Sequence, residues 1–358
     1  MLLTSTRVDD EQPGWSEVRP VPEQVTRSGW QRPSIYDVAK AAGVSHMTVS
    51  RVLNGHSNIR ESTRERVLKA IEETNYTRNS IARALATRRA MRIGVLVDSP
   101  VQHGPNSTLR ALESAARDVG YSVSSFSIDD DTSKVDTGVV ELVTQGCEAL
   151  CVIAPRESSL DLLRRRSTGL PTLLIKAEPE PGMHTLAVDQ RLGARLAVDH
   201  LLSLGHRTVH HLAGPQDWYD ARGRVQGWQE ALTDAGVAPP DPVAGDWTSD
   251  RGYEVAVGGE LDGATAVFAS NDQMALGVVH GLVERGVRVP EDVSVVGFDD
   301  LPDSGHFLPP LTTVRQDFAA LGALALRRVI AAIEDADVAQ HEVIGPDLVV
   351  RASTAAPA

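Results

Sequence analysis

The sequence has only two cysteines, and aromatic residues make up just 4% of its 358 residues. So few thiols exclude a disulfide framework and fit a reducing compartment. Cys147 and Cys151 lie in the apolar run CEALCVIA, which predicts a buried strand. We therefore interpret them as structural thiols rather than as a metal or disulfide pair.

Long apolar runs are also missing, and none approaches the roughly 18 residues that a membrane span requires. The start, MLLTSTRVDDEQPGW, has neither a positively charged segment nor an apolar one, so we expect no secretory signal. Residues 1–32 are polar and include three prolines. This composition is typical of a disordered extension, or of a start codon chosen too early. We expect a cytoplasmic protein.

Motifs of common catalytic and nucleotide-binding sites do not occur. The first apolar strand is not followed by G-x-G-x-x-G, and G-x-x-x-x-G-K-[ST], H-E-x-x-H and C-x-x-C are absent. Ser50 and Ser270 lack the surroundings of a nucleophile elbow. Four histidines lie between residues 200 and 211, but His210 and His211 are strand neighbours that point to opposite faces. We predict no catalytic site and no metal site.

Charge is distributed unevenly along the chain, whose formal net charge is -13. Residues 33–92 carry eleven Lys and Arg against five Asp and Glu, about +6, whereas residues 93–358 carry twenty against thirty-eight, about -18. Phosphate attracts the first segment and repels the second. This asymmetry predicts a basic head that binds nucleic acid and a body with another task.

The basic segment predicts three short helices. Ser34 and the aspartate three residues later form a capping-box pattern for a helix that ends at Gly43. Ser45 is the expected N-cap of a second helix, HMTVSRVLN. A third helix is predicted from Ser62 to Thr74, with Val67, Leu68 and Ile71 on one face.

Two short helices joined by a glycine-containing turn form a helix-turn-helix, whose second helix enters the major groove with its N-terminal residues at the base edges. Those residues are His46, Met47 and Thr48, followed one turn later by Ser50 and Arg51. Arg can read guanine through two hydrogen bonds, and Met or a Thr methyl can contact the thymine methyl. A small helical packing module is the alternative for this pattern.

From Arg92 onward, apolar strands alternate with helices, including one predicted at residues 107–118. RIGVLVD, YSVSSFSI, EALCVIAP and LPTLLIK form a first series of strands, and HTLAVD, RTVHHLAG, ATAVFAS and DVSVVGFD form a second. Near-continuous apolar strands with crossover helices predict parallel sheets covered on both faces. The predicted fold is α/β, with two doubly wound parallel-sheet lobes and a ligand site in the cleft at the carboxyl ends of strands.

Longer motifs resemble one known family. SIYDVAKAAGVSHMTVSRVLNG, TRERVLKAIEETNY and NSIARALATRR resemble the DNA-binding head and hinge of the lac-repressor (LacI/GalR) family. GHRTVHHLAGP, RGRVQGWQEAL, NDQMALG, VSVVGFDD and PPLTTVRQDF continue the match through the body, so that it covers residues 33–353. The resemblance implies a bacterial transcription factor, with a helix-turn-helix head and hinge helix joined to a two-lobed core similar to type I periplasmic sugar-binding proteins.

The implied domain boundaries divide the chain into five parts. They are the extension (1–32), the helix-turn-helix domain (33–78), the hinge helix and linker (79–91), an N-terminal core lobe (92–188 with 316–345) and a C-terminal core lobe (189–315 with 346–358).

The hinge segment SIARALATR follows Asn79, which can cap it, but is too short for a stable isolated helix. In the family this segment folds when two subunits meet on operator DNA, and a Leu at the position of Leu85 inserts into the minor groove. A plain linker is the alternative. The full set of predicted DNA contacts is Ser34, Tyr36, Ser45, His46, Met47, Thr48, Ser50, Arg51, Asn54, Asn79, Ala82 and Leu85.

The resemblance also implies a sugar effector, and no other cofactor, in the cleft. A neutral sugar requires directional polar groups around its hydroxyls and an apolar wall against its C–H face. Arg224, Asn271 and Asp299 match family effector positions and supply donors and acceptors. The remaining predicted residues are His103 and Pro105 on the loop after the first strand, Lys176, Arg222, Trp247, Gln316 and Phe318.

Trp247, Gln316 and Phe318 together most resemble galactoside-responsive members of the family, although the two aromatic residues would also fit a hydrophobic core. Lys176 departs from this resemblance, because those members place an acidic sugar-contacting residue there. A Lys at this position indicates a different sugar or an anionic one.

We predict a repressor of sugar-utilisation genes that a saccharide, such as a galactoside, releases from a palindromic operator. The expected partners are operator double-stranded DNA, the saccharide and a second copy of the chain, because palindromic half-sites mirror two-fold protein symmetry. The ending DLVVRASTAAPA lacks the leucine-heptad tail of tetrameric members. The alternatives are a regulator activated by a corepressor or protein partner, a sugar-binding or transport protein, and a sugar-acting enzyme.

Overall fold

The computed structural model describes residues 33–56, 58–77, 89–128, 134–154, 156–158, 160 and 168–358. The chain divides between residues 80 and 81 into two units, a helical head and a larger α/β core. The predicted extension and the hinge contacts Asn79, Ala82 and Leu85 lie outside the described residues.

The head consists of the helices α1 (Ile35–Ala42), α2 (His46–Leu53) and α3 (Glu61–Thr74). Ser34 and Asp37 form the predicted capping box at the start of α1. Ser45 caps α2, because its hydroxyl accepts a hydrogen bond from the Thr48 backbone N–H at 3.2 Å. Gly43 ends α1 with φ at 62°, a left-handed conformation that glycine adopts without steric cost.

A small apolar core holds the three helices together, with Val38 of α1, Val49 of α2 and Val67 of α3 fully buried. The prediction for Leu68 was wrong, because this side chain is 49% exposed. The buried face of α3 contains Val67 and the positions three and four residues after it. Leu68 points about a quarter-turn away from this face. Ala70 therefore completes the core instead.

The core unit alternates between strands and helices. Its strands are β1 (Arg92–Val97), β2 (Ser122–Ser127), β3 (Ala149–Ile153), β4 (Thr172–Ile175), β5 (His184–Val188), β6 (His210–Ala213), β7 (Val243–Ala244), β8 (Ala266–Ala269), β9 (Ser294–Asp299), β10 (Thr312–Arg315), β11 (His341–Ile344) and β12 (Asp347–Val349). Its longer helices are α4 (His103–Asp118), α5 (Val135–Thr144), α6 (Gln190–Ser203), α7 (Tyr219–Asp234), α8 (Ser249–Val257), α9 (Asp272–Glu284) and α10 (Phe318–Ile333).

These strands form two sheets, as the predicted α/β fold requires. The first has the order β11-β5-β4-β3-β1-β2 and is parallel throughout. The second has the order β12-β10-β9-β8-β6-β7, in which only β12 is antiparallel to its neighbour. Strands β7, β10, β11 and β12 were not predicted.

The chain crosses between the two lobes where β5 leads into α6 and where β10 leads into α10. Helix α6 follows a strand of the first sheet but packs on the core of the second lobe, where Val198 and Leu201 contribute to it. Helix α10 makes the opposite crossing, because Leu321 and Ala325 join the core of the first lobe. Gln190 and Gln316 lie at these two crossings.

Helix α4 begins four residues before its predicted start, so the prediction of a loop at His103 and Pro105 was wrong. Gln102 is extended and precedes the first helical residue, His103. Proline is tolerated in the first turn because its missing N–H would have no helical acceptor there. Both residues are therefore held on a helix that follows β1.

Among the residues that the structure describes, no helix is both long and apolar enough to cross a membrane.

We expect Gly277→Ala to destabilise the core, because Gly277 lies where α9 crosses α8. A Cβ at this position would overlap the carbonyl oxygen of Ser249 and approach the backbone nitrogen of Tyr253 to 2.6 Å. Overpacking of this kind lowers the free energy of unfolding by about 1–3 kcal/mol. Urea unfolding measures it, with Gly345→Ala as the control, because a Cβ at Gly345 meets nothing within 4 Å. Equal stability of the two variants would contradict this packing.

Candidate functional site

One surface of the head carries the predicted base-reading residues. His46, Met47 and Arg51 of α2 are exposed, and Met47 is 57% exposed although it is apolar. The ring of Tyr36 in α1 lies 5.0 Å from that of His46. An apolar and aromatic surface beside a cation can contact thymine methyl groups and phosphates together.

The other predicted contacts of the head lie around this surface. Thr48 and Ser50 are half-buried on α2, and Asn54 is exposed at its end. Ser34 and Ser45 are exposed, but their hydroxyls already accept hydrogen bonds from the first turns of α1 and α2. Their structural role as caps is therefore present without DNA.

A cleft with about 700 Å³ of empty volume lies within the core unit. Its lining includes the last residues of β3, β4 and β5 in the first lobe and of β9 in the second, the strand ends where the topology predicts a ligand. The predicted effector residues that line it are His103, Pro105, Lys176, Arg224, Trp247, Asn271, Asp299, Gln316 and Phe318.

Four buried polar residues of the cleft form a closed ring of hydrogen bonds. The Arg224 Nε–H donates to Gln190 Oε1 at 2.9 Å, and Gln190 Nε2 donates to Gln316 Oε1 at 2.9 Å. Gln316 Nε2 donates to Asp299 Oδ1 at 2.7 Å, and the Arg224 NH2 group donates to the same oxygen at 3.5 Å. The ring thus joins both lobe crossings to α7 and β9.

Asp299 is held in a strained backbone conformation at the end of β9. Its φ is 107° and that of Asp300 is 53°, both in the left-handed region that non-glycine residues rarely adopt. Asp300 accepts hydrogen bonds from Arg315 at 2.7 Å and from Arg351 at 2.6 Å. These ion pairs hold the turn that directs Asp299 into the cleft. Burial raises the pKa of Asp299, while Arg224 and then His103 oppose that shift.

Trp247 is both a core residue and a wall of the cleft, so its two predicted roles coexist. The Asn271 side chain donates to the Trp247 carbonyl oxygen at 3.0 Å and accepts from the Met274 N–H at 2.8 Å as the N-cap of α9. The Asn271 side chain therefore holds the backbone at Trp247, and its donor and acceptor are both engaged within the protein. Gly214 is required beside it, because a Cβ there would overlap the indole ring.

Phe318 also combines the two roles predicted for it. It lines the cleft, packs against the first-lobe core and lies edge-on to His103, with ring centroids 5.5 Å apart.

Lys176 lines the cleft, but its ammonium group already has partners. Its Nζ donates to Glu180 Oε2 at 2.8 Å and lies 4.0 Å from the centre of the Tyr219 ring. Arg222 was predicted beside it and does not line the cleft. It packs over the same ring at 4.5 Å and forms ion pairs of 3.5 Å with Glu157 and Glu178. Arg222 and Arg224 are two residues apart on α7, so they point to different faces of the helix.

Sequence reasoning missed Asp220, in the first turn of α7. This carboxylate lines the cleft, and no group among the described residues donates a hydrogen bond to it. Burial raises the pKa of Asp220 to about 6, against a lowering effect of Arg224 and with a smaller raising effect of Asp299.

Other lining residues were also missed, among them Gln102, Thr108, Gln190 and Trp218. Gln190 had a readable signal, since it follows the apolar run HTLAV at the carboxyl end of a strand. The indole of Trp218 lies edge-on to that of Trp247, with centroids 5.4 Å apart.

Two of the clustered histidines, His206 and His211, are buried in the second lobe. His211 is fully buried, stacks on Phe268 with ring centroids 4.6 Å apart and bonds the Phe268 carbonyl oxygen through Nδ1 at 2.9 Å. Burial lowers the pKa of His211 to about 4. Over the described part of the chain, no group of three or more His, Cys, Asp or Glu residues could hold a metal ion.

The two units therefore define a class of protein: a helix-turn-helix head joined to a two-lobed α/β core with a cleft lined by polar and aromatic residues. Residues 34–79 match the family model "Bacterial regulatory proteins, lacI family", and residues 198–354 match that of a periplasmic binding protein-like domain.

Named relatives agree with both matches. The chain is 34% identical to the lactose operon repressor of Escherichia coli (strain K12), over 90% of this chain and 91% of that protein. It is 33% identical to the HTH-type transcriptional repressor PurR of Mannheimia succiniciproducens, over 89% of this chain and 98% of the relative. A crystal structure of the lac repressor dimer bound to operator and the anti-inducer ONPF superposes with a TM-score of 0.80 at 34% identity, covering 91% of this chain and all of that one.

The chain belongs to the lacI family of bacterial regulatory proteins. It is a DNA-binding transcriptional repressor, as the sequence predicted, and the relatives named above are repressors rather than enzymes.

We expect Gln190→Ala to destabilise the core, because it removes the acceptor of the Arg224 Nε–H and the donor to Gln316 together. Leaving buried polar groups unpaired lowers the free energy of unfolding by about 1–3 kcal/mol. Thermal unfolding measures the change. Gln229→Ala on the exposed side of α7 is the matched control and should change stability by less than about 0.5 kcal/mol. A Gln190 variant as stable as this control would show that the ring is dispensable.

We expect Asp220→Asn to stabilise the protein in a pH-dependent way. The folded pKa of about 6 lies above the ordinary value of 3.8, so between these values the folded state holds a proton that the unfolded chain has lost. Stability due to this group therefore falls as pH rises through that window, and the loss is complete above about pH 6.

Asn lacks this titration. The stability gain of Asp220→Asn should be near zero at pH 4 and reach about 1–3 kcal/mol at pH 7.5. Thermal unfolding of both proteins from pH 4 to pH 8 measures it. A gain that is the same at every pH would contradict the shifted pKa.

Proposed function

We propose that this protein represses genes of saccharide use as a homodimer on a palindromic operator, and that a saccharide in the cleft releases it. Two recognition helices, one α2 from each subunit, would enter successive major grooves. The hinge contact of Leu85 with the minor groove stays a prediction from the family resemblance. Because operator DNA is the partner, we expect the protein to act in the cytoplasm.

The ring of Arg224, Gln190, Gln316 and Asp299 is the observation that carries the effector part of this proposal. Two members of the ring, Gln190 and Gln316, lie at the crossings between the lobes. A ligand that competes for their hydrogen bonds therefore acts directly on the lobe connections. Trp218, Trp247 and Phe318 add apolar walls to the same cleft. Polar groups beside aromatic faces are the usual environment of a bound sugar.

Repression and release are then linked thermodynamically. A ligand that favours one arrangement of the lobes weakens operator binding by the same factor by which the operator weakens ligand binding. The relative that was crystallised as a dimer on its operator together with the anti-inducer ONPF supports a site of this kind in a protein of this fold.

The test is operator binding by the full-length protein on duplexes from its own promoter region, measured by fluorescence anisotropy with and without each member of a saccharide panel. We expect at least one saccharide to weaken binding. Asp299→Asn should keep operator affinity and lose the response, because the ring loses its charged acceptor. Arg51→Ala should weaken operator binding by about tenfold or more and still bind the saccharide.

Two outcomes would overturn the proposal. No sequence-specific binding to any promoter duplex would exclude the operator role. Binding that a ligand strengthens would favour the corepressor alternative over induction.

A further inference from the structure

The charged groups on the wall of the cleft do not balance. Lys176 is paired with Glu180 at 2.8 Å, and Arg224 is paired with Asp299 at 3.5 Å. In each pair the opposite charges cancel. Asp220 lines the same cleft without a hydrogen-bond donor among the described residues, so it leaves one uncompensated negative charge.

The position of Asp220 makes this charge available to a ligand. It lies in the first turn of α7, one turn before Arg224 on the same helix. The two lie four residues apart and therefore face the same side. The Asp220 side chain is half-buried and lines the cleft. A carboxylate that is enclosed but unbonded favours an occupant that can donate hydrogen bonds to it.

The walls next to Asp220 suit a cation on a sugar scaffold. Trp218, two residues earlier, lines the cleft and lies edge-on to Trp247. Indole faces attract ammonium groups as well as sugar C–H faces. The polar ring supplies partners for hydroxyls, while Asp220 supplies the counter-charge.

Building on the proposed effector role of the cleft, we propose that its preferred ligand is an amino sugar whose ammonium group is held by Asp220. A neutral sugar would offer Asp220 hydroxyl donors but no counter-charge, and a charge-assisted hydrogen bond is stronger than a neutral one. An anionic sugar would be repelled by Asp220, and the Lys176 ammonium group is already neutralised by Glu180. Asp220 is thus the residue that selects the charge of the ligand.

The remaining charged groups around Asp220 do not replace this partner. On α7, Arg224 is engaged by the ring and Arg222 by Glu157 and Glu178. From α4, His103 reaches the cleft and contacts the Ser107 hydroxyl at 3.3 Å. On β9, Asp299 is held by Arg224 and Gln316 and offers no positive charge.

Calorimetric titration of the full-length protein at pH 7.5 tests this assignment with matched sugars. D-galactose and D-glucose are compared with their 2-amino-2-deoxy and 6-amino-6-deoxy forms, and with the N-acetylated, uncharged versions of the amines. We expect at least one amine to bind about tenfold or more tightly than its hydroxyl parent, because a hydrogen bond between charged groups is among the strongest available. N-acetylation should remove this gain.

Asp220→Asn should abolish the preference for the amine. Asp217→Asn is the matched control, because it removes the same charge from an exposed residue three positions earlier that does not line the cleft. It should keep the preference. Lowering the pH to 5 should weaken amine binding to the wild type, because Asp220 then carries a proton.

The outcomes separate this inference from the proposed function. Neutral sugars that bind and release the operator with no preference for amines would overturn the inference and leave the function standing. A preference that survives Asp220→Asn would also overturn it. If no sugar of either kind binds, both the amino-sugar assignment and the saccharide effector are wrong, whereas the operator measurements still report on the head.

Discussion

The ring formed by Arg224, Gln190, Gln316 and Asp299 is the constraint on which the core depends. Two of its members lie where the chain passes from one lobe to the other, and the other two belong to α7 and β9 of the second lobe. Because each member is buried, every one of these hydrogen bonds must be made or replaced. The side chains that hold the lobe connections therefore also line the cleft, so the proposed ligand would act on the lobe arrangement without a longer chain of contacts.

The surroundings of the ring explain how its geometry is maintained. The strained backbone conformation at Asp299 is stabilised by the ion pairs of Asp300 with Arg315 and Arg351. The Asn271 amide holds the backbone of Trp247. Few of these partners touch the cleft themselves. The head depends on simpler physics, since two capped helices and a core of small aliphatic residues are enough to present the exposed face of α2.

Much of this arrangement was predictable from the sequence. Ser34 and Ser45 cap the starts of helices and Gly43 ends one, and these roles depend only on local backbone chemistry. Apolar strands indicate parallel sheets, because both faces of such sheets are covered. The cleft residues of the motifs around Arg224, Asn271 and Asp299 could be named from the family resemblance. Trp218 and Asp220 were missed, because nothing in their immediate sequence indicates which distant residues they meet. Gln190 was missed although its place after a strand gave a signal.

The sequence by itself determined the basic head, the helix caps, the two series of strands and the kinds of residue at their ends. Each of these depends on neighbours along the chain or on a hydrophobic period. Only the tertiary structure decided which charges are paired. Lys176 is neutralised by Glu180, Arg222 packs outside the cleft, and Asp220 stays without a hydrogen-bond donor among the described residues. Pairing depends on distances across the fold, and a linear sequence does not contain them.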